Sequence, residues 1–239
     1  MILCIADVLT SEELDLILSK LKTAPFVDGK ATAGWHARLV KQNTQLASKA
    51  LVAEEVKSIV HKALERNTLF QMAVRPKYIR PVLFSRYEPG MFYGNHVDNA
   101  LMESSAPIDS HPTDTPHSPA QSLMRSDVSL TLFLNAPSTY IGGELVIESI
   151  QGEQAFKLDA GAVVIYPSST LHRVEPVTQG VRLVAITWIQ SLIRDPNERE
   201  ILFDLDTVRQ ALFKQSGKTP EFDLIAKSHA NLLRKWAEF

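Results

Sequence analysis

The chain has 239 residues and a mass of 26.6 kDa, with 25 Lys+Arg against 27 Asp+Glu and a formal charge of −2. That balance lacks the basic excess of a nucleic-acid-binding protein, and a single cysteine, Cys4, excludes an intramolecular disulfide framework. No stretch reaches the ~18 apolar residues of a membrane span.

Met1–Ala6 is apolar but short and has no basic flank, unlike a secretion leader, so a cytoplasmic location is expected. Thr10 followed by Glu13 predicts a capping box opening a helix whose apolar face is Leu14, Ile17, Leu18 and Leu21. A second helix is predicted over Gln45 to Arg66, with Leu51, Val52, Val56, Ile59, Val60, Ala63 and Leu64 as its stripe. His61 within it reads as an ordinary helix residue rather than a metal ligand. Residues 1–77 are therefore expected to form a helical support region.

From Lys77 the period shortens. Tyr78–Tyr87, Val128–Asn135, Glu144–Ile150, Ala162–Tyr166, Leu171–Glu175 and Val181–Ile189 are predicted strands, separated by turn sequences such as Glu88-Pro89-Gly90 and Asp159-Ala160-Gly161. Close spacing without intervening helices predicts an antiparallel sandwich or barrel over 78–192. Within it, Glu103–Ser122 holds Pro107, Pro112, Pro116 and Pro119 among Ser and Thr, and reads as a mobile insertion that includes His111 and His117. Beyond Asp195-Pro196-Asn197 a helical period returns, in two stripes divided at Gly217–Pro220, so 193–239 is expected to be a helical region. The fold class is mainly β with flanking helices.

His96 and Asp98 stand two apart, a spacing that puts both side chains on one face of an extended strand. His172 opens a later strand, after the Tyr166-Pro167-Ser168-Ser169 turn. Two imidazoles and one carboxylate can fill three neighbouring positions of an octahedron and leave the others open, as in non-haem Fe(II) oxygenases. Arg182 follows ten residues later inside an apolar run, where a guanidinium is costly to bury without an anionic partner. Its planar fork suits a carboxylate. Gly142-Gly143 reads as a tight turn, because no helix follows to cradle a phosphate, and Ser168-Ser169 lacks the frame of a nucleophile elbow. Trp188 and Tyr166 read as core.

These residues resemble the iron(II)/2-oxoglutarate-dependent dioxygenases, and among them the prolyl-4-hydroxylase-like PKHD-type hydroxylases (the PiuC-like group). The resemblance is carried by His96-x-Asp98, His172 and Arg182, by Phe84–Met91 and Leu130–Asn135, and by Gly142–Leu145 and Trp188–Ser191. It implies a double-stranded β-helix (jelly-roll) core with His96, Asp98 and His172 as iron ligands. It also implies Arg182 as partner of the distal carboxylate of 2-oxoglutarate, and Tyr87 lining the co-substrate pocket. Phe133 stands where some relatives carry a co-substrate-binding tyrosine. The expected cofactor is Fe(II), with 2-oxoglutarate as co-substrate and ascorbate as candidate reductant. The expected partners are dioxygen and a small-molecule or peptide substrate, with neither nucleic acid nor membrane. Monomer and homodimer are both left open. The competing reading is a non-catalytic metal and 2-oxoglutarate sensor on the same fold. A zinc hydrolase with these ligands would lack a general base at fixed spacing.

Overall fold

The computed structural model describes residues 1–103 and 123–239. In chain order its elements begin with β1 (Leu3–Ile5), α1 (Ser11–Leu21), β2 (Phe26–Asp28), β3 (Lys41–Gln42), β4 (Thr44–Leu46), α2 (Ala53–Arg66) and α3 (Thr68–Val74). There follow β5 (Pro76–Ile79), β6 (Leu83–Tyr87), β7 (Phe92–His96), β8 (Leu101–Glu103), β9 (Leu123–Arg125) and β10 (Val128–Phe133). The remaining strands are β11 (Tyr140–Gly142), β12 (Leu145–Ser149), β13 (Gly152–Phe156), β14 (Val163–Pro167), β15 (His172–Val174), β16 (Val177–Gly180) and β17 (Arg182–Ser191). Two helices, α4 (Pro196–Ser216) and α5 (Pro220–Trp236), complete the chain.

Eight strands form a large antiparallel sheet in the order β1-β14-β10-β17-β6-β4-β2, with β5 also paired to β17. A five-stranded sheet runs β13-β12-β15-β7-β3, and the pairs β11-β16 and β8-β9 are separate. The two main sheets form a jelly-roll core. Strand alternation sorts the side chains of the large sheet. Leu130, Leu132, Val163, Ile165, Leu183 and Ala185 pack outward against Ile17, Val56, Val60, Leu64 and Phe70 of α1, α2 and α3. Phe133, Val164, Tyr166 and Val184 face inward, against Leu145, Ile147 and Val174 of the smaller sheet. Because helices cover its outer face, β10 is buried at all six positions.

The capping box forms as predicted: Thr10 N–H donates to Glu13 Oε2 at 3.0 Å, and Glu13 N–H donates to Thr10 Oγ1 at 3.3 Å. Arg66 of α2 then pairs with Glu13, tying the two helices together. The N-terminal region departs from its helical reading in two respects. Residues 26–46 supply β2, β3 and β4, which extend both sheets by pairing with β6 and β7. The helix expected from Gln45 begins at Ala53, since Gln45 and Leu46 complete β4. The predicted strand Tyr78–Tyr87 is split at Pro81, whose nitrogen cannot donate to a ladder, into β5 and β6 on the same flank of β17. Strands β1, β7, β8, β9, β11, β13 and β16 are additional to those predicted. The expected insertion over 103–122, with His111 and His117, lies outside the described residues except for Glu103, which ends β8.

Candidate metal centre and co-substrate cavity

Antiparallel pairing of β7 with β15 sets His96 directly opposite His172, and their ring centroids lie 4.2 Å apart. Asp98 follows just beyond the end of β7. One ligand atom from each of His96, Asp98 and His172 falls within a mutual 4.8 Å, and they are the one such group among the described residues. Each imidazole has its Nδ1 fixed by a backbone carbonyl: His96 Nδ1 is 2.8 Å from Gly94 O, and His172 Nδ1 is 3.0 Å from Thr170 O. A carbonyl only accepts, so Nδ1 carries the proton and both Nε2 lone pairs are free for a cation. Burial, reinforced by the neighbouring His172, pushes the His96 imidazole well below its ordinary range and keeps it neutral near pH 7. Tyr93 stacks on His96 with centroids 3.6 Å apart. Asp98 is oriented by Ser129, whose hydroxyl donates to Oδ2 at 2.6 Å and lies 2.8 Å from Ser168 Oγ.

The three residues open into a cavity of about 500 Å³ that is also lined by Tyr87, Tyr166 and Arg182. Arg182, first residue of β17, is 1% exposed. Its guanidinium lies 5.0 Å from the Tyr87 ring centroid and 5.6 Å from that of Phe133, and its Nε is buried with no hydrogen-bond partner among the described residues. Burial pulls its pKa down, against the weaker influence of Tyr87, Tyr140, Tyr166 and, last, Glu144. Glu144 itself lies 3.8 Å from Lys157 Nζ. A buried guanidinium faced by rings and phenols, without a paired carboxylate, fits an incoming carboxylate. Two imidazoles and a carboxylate likewise fit Fe(II).

All five residues singled out in the sequence therefore line one cavity: His96, Asp98, His172, Arg182 and Tyr87. Tyr166 and Trp188, read as core, also line it, since both occupy inward positions of their strands. Sequence reasoning missed three contributors. Ser129 was visible only as a polar residue alternating with Val128 and Leu130 in an otherwise apolar strand. Tyr140 packs near Arg182 from β11, with no local signal. Gly143, read as a simple turn, has φ +68°, and a Cβ there would stand 2.9 Å from both Arg182 Cδ and Val177 Cγ2. That glycine lets the backbone close over the arginine stem.

Residues 82–190 match the profile of the 2OG-Fe(II) oxygenase superfamily, and residues 197–238 that of the PKHD-type hydroxylase C-terminal domain. Family and fold are thus those of a 2-oxoglutarate-dependent dioxygenase. The chain is 60% identical over 238 residues to a PKHD-type hydroxylase of Synechococcus sp. strain JA-3-3Ab, and 57% identical to one of Acaryochloris marina, with 100% of both chains covered in each case. It belongs to the PKHD-type hydroxylases. A solved prolyl hydroxylase from Trichoplax adhaerens, in complex with a hypoxia inducible factor oxygen degradation domain peptide fragment, shares the fold at a TM-score of 0.53 and 13% identity, covering 79% of this chain and 83% of that one. No helix among the described residues is long and apolar enough to cross a membrane.

Proposed function

We propose that the protein hydroxylates a small-molecule or peptidyl substrate, with His96, Asp98 and His172 holding Fe(II) and Arg182 binding the distal carboxylate of 2-oxoglutarate. The observation that carries this reading is the guanidinium of Arg182, 1% exposed and without a carboxylate partner among the described residues, in the cavity that also holds the two imidazoles and the aspartate. A metal store needs no such anchor. When bound, Fe(II) supplies the redox chemistry that couples decarboxylation of 2-oxoglutarate to succinate with hydroxylation of a C–H bond.

The chain's own part is positional. The Gly94 and Thr170 carbonyls hold both imidazoles in the tautomer that presents Nε2. Ser129 keeps one Asp98 oxygen in place. Arg182 and the Tyr87 ring behind it fix the far end of the co-substrate, so that its keto-acid end reaches the metal in one orientation. The test is succinate release from purified protein supplied with Fe(II) and 2-oxoglutarate. Asp98→Ala should abolish it, and Arg182→Ala should raise KM for 2-oxoglutarate by about thirtyfold or more. Unchanged turnover in Asp98→Ala, or activity retained with Zn(II) in place of Fe(II), would exclude the reading.

A further inference from the structure

A second buried cation faces the same cavity from the opposite sheet. Lys41, on β3, pairs with Tyr93 of β7 and emerges beside the strand that carries His96. It is 3% exposed, and it lines the cavity together with Thr32, Tyr93, His96 and Asp98. Its ammonium donates to Thr32 Oγ1 at 2.9 Å and stands 5.1 Å from the Tyr93 ring centroid. The Thr32 hydroxyl in turn donates to Gln45 Oε1 at 2.6 Å, and Gln45 Nε2 donates to Ser85 Oγ at 3.0 Å. Every partner of the ammonium in this network is neutral.

An ammonium has three N–H groups. Among the described residues, Lys41 spends one on a neutral hydroxyl and forms no ion pair. Asp98 and Asp28 support its charge only from a distance, and burial still pulls its pKa down to about 8. A divalent cation bound to Asp98 would withdraw part of that support and add a like charge. Buried charges persist where something neutralises them, and packing alone is served better by an apolar side chain. Arg182 does not share this environment: the groups acting on it are Tyr87, Tyr140, Tyr166 and Glu144, none of which acts on Lys41. The wall next to Lys41 is built of small residues, Ala31, Ala33, Gly34 and Ala37, which leave room for a ligand.

We propose that Lys41 determines specificity by receiving a free carboxylate of the substrate, so that the hydroxylated molecule is a carboxylic acid seated between Lys41 and the metal. This rests on the function proposed above. Lys41, with two unspent donors, suits a carboxylate better than a phosphate dianion, which calls for more donors; the other basic residues lining the cavity sit against different rings, Arg80 against Trp188 and Arg182 against Tyr87.

The test uses the full chain loaded anaerobically with Fe(II) and 2-oxoglutarate. The probes are N-acetyl amino acids and their matching amides, titrated one pair at a time, with binding read from the absorbance of the Fe(II)–2-oxoglutarate complex. At least one acid should bind about tenfold tighter than its amide. Lys41→Met should erase that preference, Lys41→Arg should retain it, and affinity for 2-oxoglutarate should stay within about twofold in both. Lys41→Gln replaces Lys41→Met if the latter fails to fold. The proposal falls if no acid outbinds its amide, or if the preference survives loss of the charge. It also falls if Lys41→Met weakens 2-oxoglutarate instead, which would make Lys41 part of the co-substrate site. Failure of the wild-type chain to bind Fe(II) and 2-oxoglutarate at all would instead remove the underlying reading.

Discussion

Ser129 has one proton to give. The 2.6 Å approach to Asp98 Oδ2 commits it there, so Ser168, 2.8 Å away, must donate to Ser129 in turn. Hydrogen bonds of this kind hold a ligating carboxylate in register with its metal, and their loss costs about tenfold or more in affinity. Ser129→Ala should therefore weaken Mn(II) binding by about that factor in calorimetry while leaving the far-UV spectrum unchanged; equal affinities would show that Asp98 is held by other means. Protonation tells a related story. Burial holds His61, His96 and His229 below the ordinary imidazole range. The unfolded chain therefore binds more protons than the folded one as pH falls below about 6.5, and stability must drop in that direction. Urea melts of metal-free protein at pH 7.5 and 5 should show the lower midpoint at pH 5, with a smaller difference in His96→Gln. At this scale His96, Asp98, His172 and Arg182 were legible, because their chemistry is conspicuous in an apolar or strand context. Lys41, Ser129 and Tyr140 were not, since their roles depend on cross-sheet neighbours that no local pattern encodes.

Among the elements, those with a long periodic pattern were readable and the short ones were not, including α3 despite its Asn67 cap. Helices α1, α4 and α5 carry side-chain caps at Thr10, Asp195 and Thr219, and the long strands β10 and β17 are predominantly apolar. By contrast, β2, β3 and β4 are two or three residues each, too short for an alternation to register; β4 and β3 add to the edges of β6 and β7, and β2 adds to β4. The link between β11 and β12 is the most demanding local geometry near the site. Gly143→Ala must place a Cβ at positive φ and 2.9 Å from Arg182 Cδ. It should cost more than about 1 kcal/mol of stability and, by displacing the arginine stem, raise the Kd for 2-oxoglutarate. A thermal melt and a co-substrate titration on the same preparation check both; a destabilised protein with unaltered Kd would confine the glycine to a backbone role.

For the molecule as a whole, the jelly roll brings together residues that are distant in sequence: His96 meets His172 only when β7 pairs with β15, and Ser129 reaches Asp98 from the larger sheet. Metal therefore binds the folded chain in preference to the unfolded one. At a hundredfold excess over Kd this linkage contributes about 2.7 kcal/mol, or roughly 5–10 °C in Tm for a chain of this size. Mn(II) with 2-oxoglutarate should produce such a shift in the wild type and none in Asp98→Ala. The direct opposition of His96 and His172 across β7 and β15 has a kinetic corollary. Neither histidine has its partner nearby in the chain, so the ion cannot act as a nucleus around which the polypeptide gathers. It arrives after the slow search that pairs distant strands is over. Refolding after dilution from urea should consequently run at one rate with or without the ion, while escape from the native state becomes slower when the ion is present: the metal works as a late lock on a finished structure, not as a template for building it.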